Sequence, residues 1–213
     1  MNFIKKTKRH GKVELKVLDR EIGKSMIIQN HYSHKNVNTS KYYLGCFVKD
    51  QLCGVASFGV AMNPVPTTKL VKDTKLDEYL ELNRLWIKDD VGHNIESVFL
   101  GLCFKWIKHN LPKIKWIQSF ADGRVGVGTI YQATNFLYCG YHKSKFWKHT
   151  ITGEVFHNSV LTRKTRKKYW ELKQQLHLLI PFETKTYRYI YFINKKYVKN
   201  LSLKILIYPK INA

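Results

Sequence analysis

Asp122 follows an apolar run, Ile114 to Phe120, and opens a glycine-rich turn from Gly123 to Gly128. Carboxylates at strand ends beside such turns are where ligand-binding acids gather in α/β sheets. Asp122 can accept a proton or bind a metal; its plainer role is to cap the turn through backbone N–H groups. Tyr131 stands early in the helix that follows. Its phenol either moves a proton or packs in the core with its hydroxyl satisfied. His31 and Tyr32 open a polar loop that runs to Ser40. A histidine there serves as a base or metal ligand, or is simply a surface side chain. Glu81 and Arg84 are three residues apart on one strand-like run, which sends them to opposite faces. They offer a substrate a carboxylate and a guanidinium, or pair as buried or edge ions. Ser119 adjoins the strand end of Asp122 and can hydrogen-bond a ligand, with a structural use equally open.

These residues need elements to hold them. Val13 to Leu18 reads as a strand and Arg20 to Asn30 as a helix with Ile22, Met26 and Ile27 on one face. Tyr42 to Val48 and Leu52 to Val60 form a hairpin signal, split by Lys49-Asp50-Gln51. Asn63-Pro64-Val65-Pro66 breaks the pattern, and a polar loop runs to about Asp77. Tyr79 to Ile87 is a strand, Asn94 to His109 a helix, and Ile114 to Phe120 a strand. Gly126 to Asn135 is a short helix and Leu137 to Tyr141 a strand. Thr162 to Leu178 reads as a helix and Thr186 to Phe192 as a tyrosine-rich strand, with Tyr187, Tyr189 and Tyr191 on one face. The order is mixed α/β (α+β), with a central, mostly antiparallel sheet flanked by helices. One domain over residues 1–213 is expected, with a core at 11–142 and a basic C-terminal extension, 143–213, packed on it.

Charge points to the partner. The 213 residues carry a net +22, unevenly spread. Residues 25–140 hold thirteen basic against nine acidic side chains, whereas residues 141–213 hold sixteen against three. A polyanion such as nucleic acid suits the flank, and a catalytic core suits the near-balanced centre. Arg163, Lys164, Arg166, Lys167 and Lys168 cluster tightly, followed directly by Tyr169 and Trp170. Cations interleaved with aromatics fit a phosphate backbone and an unstacked base; a solvated helix face is the plainer reading. Cys46, Cys53, Cys103 and Cys139 form no C-x-x-C pair, which argues against a zinc finger and for free thiols in a cytoplasmic protein. Met1 to His10 lacks the apolar stretch of a signal peptide, and no apolar run approaches membrane-spanning length, so no membrane is expected.

Three blocks together resemble the Mom family of phage and prophage DNA-modification enzymes. They are Leu80-Glu81-Leu82-Asn83-Arg84-Leu85-Trp86-Ile87 with Asp89 to Ser97, Gln118 to Phe136 followed by Tyr138 and Gly140, and Thr186 to Tyr191. The likeness extends to His31-Tyr32-Ser33 and Gly54 to Gly59. It implies a GNAT-like acyltransferase fold and conversion of adenine in double-stranded DNA to N6-carbamoylmethyladenine, protecting phage DNA from restriction. It implies Asp122, Tyr131, His31 and Tyr32 as catalytic residues, with Tyr131 protonating a leaving thiolate. Acetyl-CoA or another acyl donor would lie at a helix N-terminus, where N–H groups and the dipole attract phosphate; Gly92, His93, Asn94 and Ser97 are the candidates. The R/Q-x-x-G-x-G/A fingerprint is absent there, and Asp89, Asp90 and Glu96 lie close by. Glu81, Arg84, Ser119 and Arg124 join the basic cluster as residues for substrate or DNA. His31, Tyr32 and Asp122 form an unusual set for iron. Asn135 stands where the GNAT Y-x-x-x-G-F pattern has glycine, and asparagine tolerates a left-handed backbone.

An adenine amine inside a duplex is paired, so the base must be flipped or caught unpaired. Two other classes remain open: a GNAT acyltransferase acting on a protein or small-molecule amine, and a non-catalytic DNA-binding protein. The first has no need of the basic C-terminal third; the second has none for the block from Asp122 to Tyr131.

Overall fold

A computed structural model describes residues 3–165 and 167–210. Nine strands form one sheet: β1 (Phe3–Thr7), β2 (Gly11–Val17), β3 (Ser40–Val48), β4 (Gln51–Gly59), β5 (Tyr79–Ile87), β6 (Trp116–Asp122), β7 (Leu137–His149), β8 (Val155–His157) and β9 (Leu179–Phe192). Their spatial order is β1-β2-β3-β4-β5-β6-β9-β7-β8. Only the β5–β6 pairing is parallel; the others are antiparallel. The expected mixed, mostly antiparallel sheet flanked by helices is therefore present.

Helix α1 (Arg20–Asn30) starts where Asp19 accepts a hydrogen bond from the Glu21 N–H at 2.8 Å, and stops where His31 turns extended. It lies on β3 so closely that a Cβ on Gly23 would meet the Tyr43 side chain at 2.6 Å. Ile27, Tyr43 and Val55 seal that contact. Helix α3 (Ile95–Asn110) carries Phe99, Leu102, Cys103 and Trp106 at helical spacing, all buried with Leu44, Ala56 and Ile117. Burying each large apolar side chain contributes roughly 1.5–3 kcal/mol. The β5–α3–β6 unit is thus a crossover connection that places two parallel strands side by side.

Several elements differ from expectation. The proline-broken loop after Asn63 winds into a short helix, α2 (Pro64–Thr68), because proline suits a first helical turn. The helix expected from Gly126 shrinks to α4 (Thr129–Ala133), since Gly128 takes φ 83° immediately before it. The helix expected over Thr162 to Leu178 breaks into α5 (Ser159–Thr162), α6 (Lys167–Gln174) and a 3-10 turn at Leu176–Leu178. Like charges crowded between Arg163 and Lys168 disfavour a continuous helix there. Strands β7 and β9 run well past β6. Their pairing continues from His142↔Thr186 to His149↔Leu179, whereas β6 stops at Asp122↔Thr186. The outer ribbon, with β8, α5 and α6, buries its own small cluster of Phe156, Val160, Leu172 and Leu179. Residues 179–192 of the basic third are thus an interior strand of the sheet.

Candidate active site

Strands β5 and β6 pair at only three positions, Tyr79↔Trp116, Leu80↔Ile117 and Glu81↔Gln118, and then part. A bulge accompanies the parting. Ser57 faces Arg84 and Phe58 faces Leu82, which leaves Asn83 unpaired in the ladder. Asn83 is buried; its Oδ1 accepts from Ser40 Oγ at 3.0 Å and its Nδ2 donates to Glu81 Oε1 at 3.1 Å. The extra residue corrects the strand arithmetic: Glu81 and Arg84, expected on opposite faces, line one cavity. Ser119, fully buried, donates from Oγ to the Leu82 carbonyl at 3.1 Å. It satisfies a carbonyl just past the last paired rung.

Beyond that tie lies a cleft of about 260 Å³, walled by Arg84 and Leu85 of β5, by Phe120 to Asp122 of β6, by Tyr131 of α4, and by His31 and Tyr32. The structure thus brings together all four residues expected to be catalytic. Tyr131 packs against Phe136 and Tyr189, with ring centroids at 5.3 and 5.1 Å. Burial of its hydroxyl raises the phenol pKa, and a contact with Ser119 opposes that rise. Tyr131 is therefore a protonated donor at neutral pH. Asn135 holds the left-handed conformation expected of it, φ 61°, so that the Phe136 N–H reaches the Tyr131 carbonyl at 3.0 Å.

Asp122 is forked by Arg124, which donates from Nε at 2.9 and 3.0 Å and from Nη2, while the Arg124 backbone N–H caps the carboxylate at 3.0 Å. Burial alone would raise Asp122, but the Arg124 bonds outweigh it and hold the carboxyl below its ordinary range. Arg124 also lies over the Phe146 ring at 4.1 Å. Tyr32 points its hydroxyl at Asp122 Oδ2, 3.5 Å away; burial and the Asp122 charge push that phenol up to about 12. His31 is buried, with Nδ1 accepting from the Ser33 N–H at 3.1 Å, and burial lowers it to about 4.

His31, Tyr32 and Asp122 meet in the cleft, but Asp122 is already forked by a guanidinium and Arg84 adds positive charge, so nothing in the arrangement supports an iron ion. Among the described residues there is no group of three His, Cys, Asp or Glu side chains arranged to hold a metal. Arg84 directs its hydrogen bonds to carbonyls, Nε to Lys35 at 3.0 Å and Nη1 to Asn83 at 2.7 Å. Among the described residues it has no ion-pair partner, so its half-buried charge favours an anion in the cleft.

A second cavity of about 740 Å³ shares Arg84 and Phe120 with the first. Its wall holds Glu81 and Gln118, and Arg188 of β9, which pairs with Phe120 across the ladder. Gln118 Nε2 donates to Glu81 Oε2 at 2.6 Å, and Arg188 Nη1 donates to Gln118 Oε1 at 3.4 Å. Burial raises the Glu81 pKa despite these donors. Sequence reasoning passed over Asn83, Gln118, Phe120 and Arg188 as site residues. The tyrosine alternation held the signal for Arg188, because period two sends it to the face opposite Tyr187 and Tyr189.

The remaining candidates stand apart. Gly92, His93, Asn94 and Ser97 surround the start of α3 and line neither cavity. Asn94 takes φ 68° and makes no side-chain cap, and Ser97 Oγ donates to the Asn94 carbonyl at 2.8 Å. Arg163, Lys164 and Lys167 are exposed on the outer end of the β7–β9 ribbon; Lys168 pairs with Glu154, and Trp170 beside them is exposed. Arg166 lies outside the described residues. The four cysteines are free thiols, three of them buried. No helix among the described residues is long and apolar enough to cross a membrane.

Several known proteins are similar to this chain. Solved structures similar to the chain include a RimL ribosomal L7/L12 alpha-N-protein acetyltransferase, 12% identical with a TM-score of 0.47 over 85% of this chain and 94% of that one. Another is an acetyltransferase of the GNAT family from Streptococcus pneumoniae, 9% identical with a TM-score of 0.48 over 85% and 99%. In sequence, the methylcarbamoylase mom of Escherichia phage Mu is 36% identical over 211 residues, covering 94% of this chain and 86% of that protein. The Mom protein family matches residues 12–210, which takes in both cavities and the basic ribbon. The chain belongs to the Mom protein family.

Proposed function

We propose that this chain is a DNA-modifying transferase that converts adenine in double-stranded DNA to N6-carbamoylmethyladenine. The methylcarbamoylase of phage Mu supports the reaction, and the basic ribbon supports the polyanionic partner. One observation carries the mechanism: two cavities meet at Arg84 and Phe120, where β5 and β6 part. A donor in the first and a base in the second would meet end to end, which is the geometry that direct group transfer needs. No cysteine or serine sits in an evident nucleophile motif, which favours transfer without a covalent enzyme intermediate.

Acetyl transfer alone would leave an N6-acetyl group, so the donor must also bring the amide nitrogen and attach through its methylene carbon. Arg84 would hold an anionic part of the donor. Tyr131, neutral and half-buried, gives a proton to the departing group. Asp122, kept ionised by Arg124, accepts from Tyr32 and fixes the Tyr32 and His31 side of the cleft. Arg163, Lys164, Arg166, Lys167 and Lys168 grip the phosphate backbone from the extension of residues 143–213.

Mass spectrometry of nucleosides from DNA made beside the protein tests the reading. The expected product is a heavier, N6-substituted deoxyadenosine. Unmodified adenine from cells in which the protein binds DNA overturns it. A modified cytosine or an acylated protein lysine redirects it to another acceptor.

A further inference from the structure

The wall of the larger cavity is an ordered ladder of charge. Arg188 donates to the carbonyl end of the Gln118 amide, and the amino end of that amide donates to Glu81. Asn83 donates to the other Glu81 oxygen. The amide is thereby held one way round, with Glu81 presenting an acceptor edge and Arg188 a donor edge. Each Glu81 oxygen accepts one hydrogen bond and keeps acceptor capacity in hand. Arg188 uses one N–H of its five and has no carboxylate partner among the described residues. A cation and an anion, both half-buried and joined through one amide, leave complementary hydrogen-bonding groups facing an open space of about 740 Å³.

Aromatic surface flanks the ladder. Phe120 lies under the Arg188 guanidinium at 5.0 Å and meets His142 edge-on at 5.9 Å. Phe146 and His157 continue the wall toward the basic ribbon. Aromatic rings beside convergent polar groups are the kind of site a nucleobase takes.

Resting on the DNA-modification reading above, we propose that Glu81, Gln118 and Arg188 form the base-reading wall of the enzyme, selecting an extruded base that carries an exocyclic amino group beside a ring nitrogen. The amino group donates to Glu81 and the ring nitrogen accepts from Arg188. On the Watson–Crick edge adenine and cytosine present that order, whereas guanine and thymine place a carbonyl oxygen beside a ring N–H there, the oxygen against the Glu81 carboxylate. Gln118 is a positioning residue, fixing the spacing of the two charged groups. The wall therefore explains rejection of guanine and thymine, while the choice of adenine over cytosine falls to the size of the space.

The test uses duplexes with one unpaired target opposite an abasic site, so that extrusion costs the same throughout. The target is adenine, purine without the amino group, or hypoxanthine with a carbonyl in its place. Affinity is read by fluorescence anisotropy at fixed salt. Wild-type protein is expected to bind the adenine duplex about tenfold more tightly than the purine duplex, the scale of one charge-assisted hydrogen bond, and hypoxanthine more weakly still. Glu81→Gln, nearly the same shape, can donate to a carbonyl oxygen and should narrow the gap between adenine and hypoxanthine. Arg188→Met should lose about tenfold on the adenine duplex and nothing on a fully paired one. The Arg188 variant keeps the test decisive if the Glu81 variant does not fold. Equal wild-type affinity for adenine and purine, a folded Glu81 variant that keeps the wild-type ranking, or a folded Arg188 variant that keeps wild-type affinity for the adenine duplex overturns the proposal. Nucleoside analysis run alongside separates the two claims. Modified adenine with an unchanged ranking sinks only the base-reading wall. A wild-type preference for adenine that the Glu81 variant loses, without any modified nucleoside, sinks the reaction and leaves the wall standing.

Discussion

Ser119 Oγ donates to the carbonyl of Leu82 at 3.1 Å, at the point where two parallel strands separate. Both partners are buried, so the bond closes the inner end of the cleft and satisfies a carbonyl that the ladder has released. Ser119→Ala leaves that carbonyl without its partner. A stability loss of about 1–3 kcal/mol is expected, read as a melting temperature lowered by several degrees. A melting curve indistinguishable from wild type would show that the tie contributes nothing.

Tyr131→Phe separates packing from proton transfer. The ring keeps Phe136 and Tyr189, and the bond it gives up, to the Phe120 carbonyl, is a long one at 3.5 Å. Stability should change by less than about 1 kcal/mol, whereas the yield of modified adenine should fall by about 100-fold or more. Undiminished yield removes Tyr131 from the reaction.

Asp122→Asn keeps the shape of the turn and abolishes the charge that Arg124 forks. The expected protein folds with a loss of about 1 kcal/mol and makes no modified adenine. Paired melting and nucleoside measurements distinguish the outcomes. An active, folded variant confines Asp122 to capping the turn, and an unfolded one makes it structural first.

His31 gives a pH signature. Burial, with the Arg84 charge, lowers it from 6.5 to about 4 in the fold. The unfolded chain takes up this proton as pH drops below about 6.5, and the folded one only near the lower value. The His31 contribution to stability is therefore complete above about pH 6.5 and drains away as pH falls toward the folded value. His31→Gln should lose less melting temperature than wild type between about pH 7 and about pH 4.5. Parallel melting curves across that window would contradict the assignment.

The ribbon predicts salt dependence. Arg163→Glu, Lys164→Glu and Lys167→Glu, all at exposed positions, should weaken duplex binding. The slope of log affinity against log salt should become shallower by about 0.9 for each phosphate that is no longer neutralised. Unchanged slope makes the cluster a solvated surface.

Local rules made much of this fold legible. Arg20 to Asn30 and Tyr79 to Ile87 appear with the bounds their periodicity implies, because an N-cap aspartate and a long apolar run set them. Asn135 behaves as its side chain allows. What sequence spacing could not carry was register. The bulge at Asn83 depends on how β5 lies against β4, and it turns Arg84 to the side that Glu81 faces. Gln118 and Arg188 acquire meaning only when β9 is laid beside β6, seventy residues away along the chain. Helix propensity over Thr162 to Leu178 was outweighed by crowded cations and by the satellite core beneath them.

The place of β9 has a consequence for synthesis. It sits between β6 and β7, so until residues 179–192 have been made, β6 and β7 each present an open edge and the sheet is divided. The tyrosines behind α4, among them Tyr189 against Tyr131, arrive with that same strand. The nascent chain therefore has DNA-attracting lysines before it has a finished cleft. A ribosome stalled short of β9 would leave a sticky, inactive intermediate with unpaired strand edges, the form most exposed to aggregation and to chaperones.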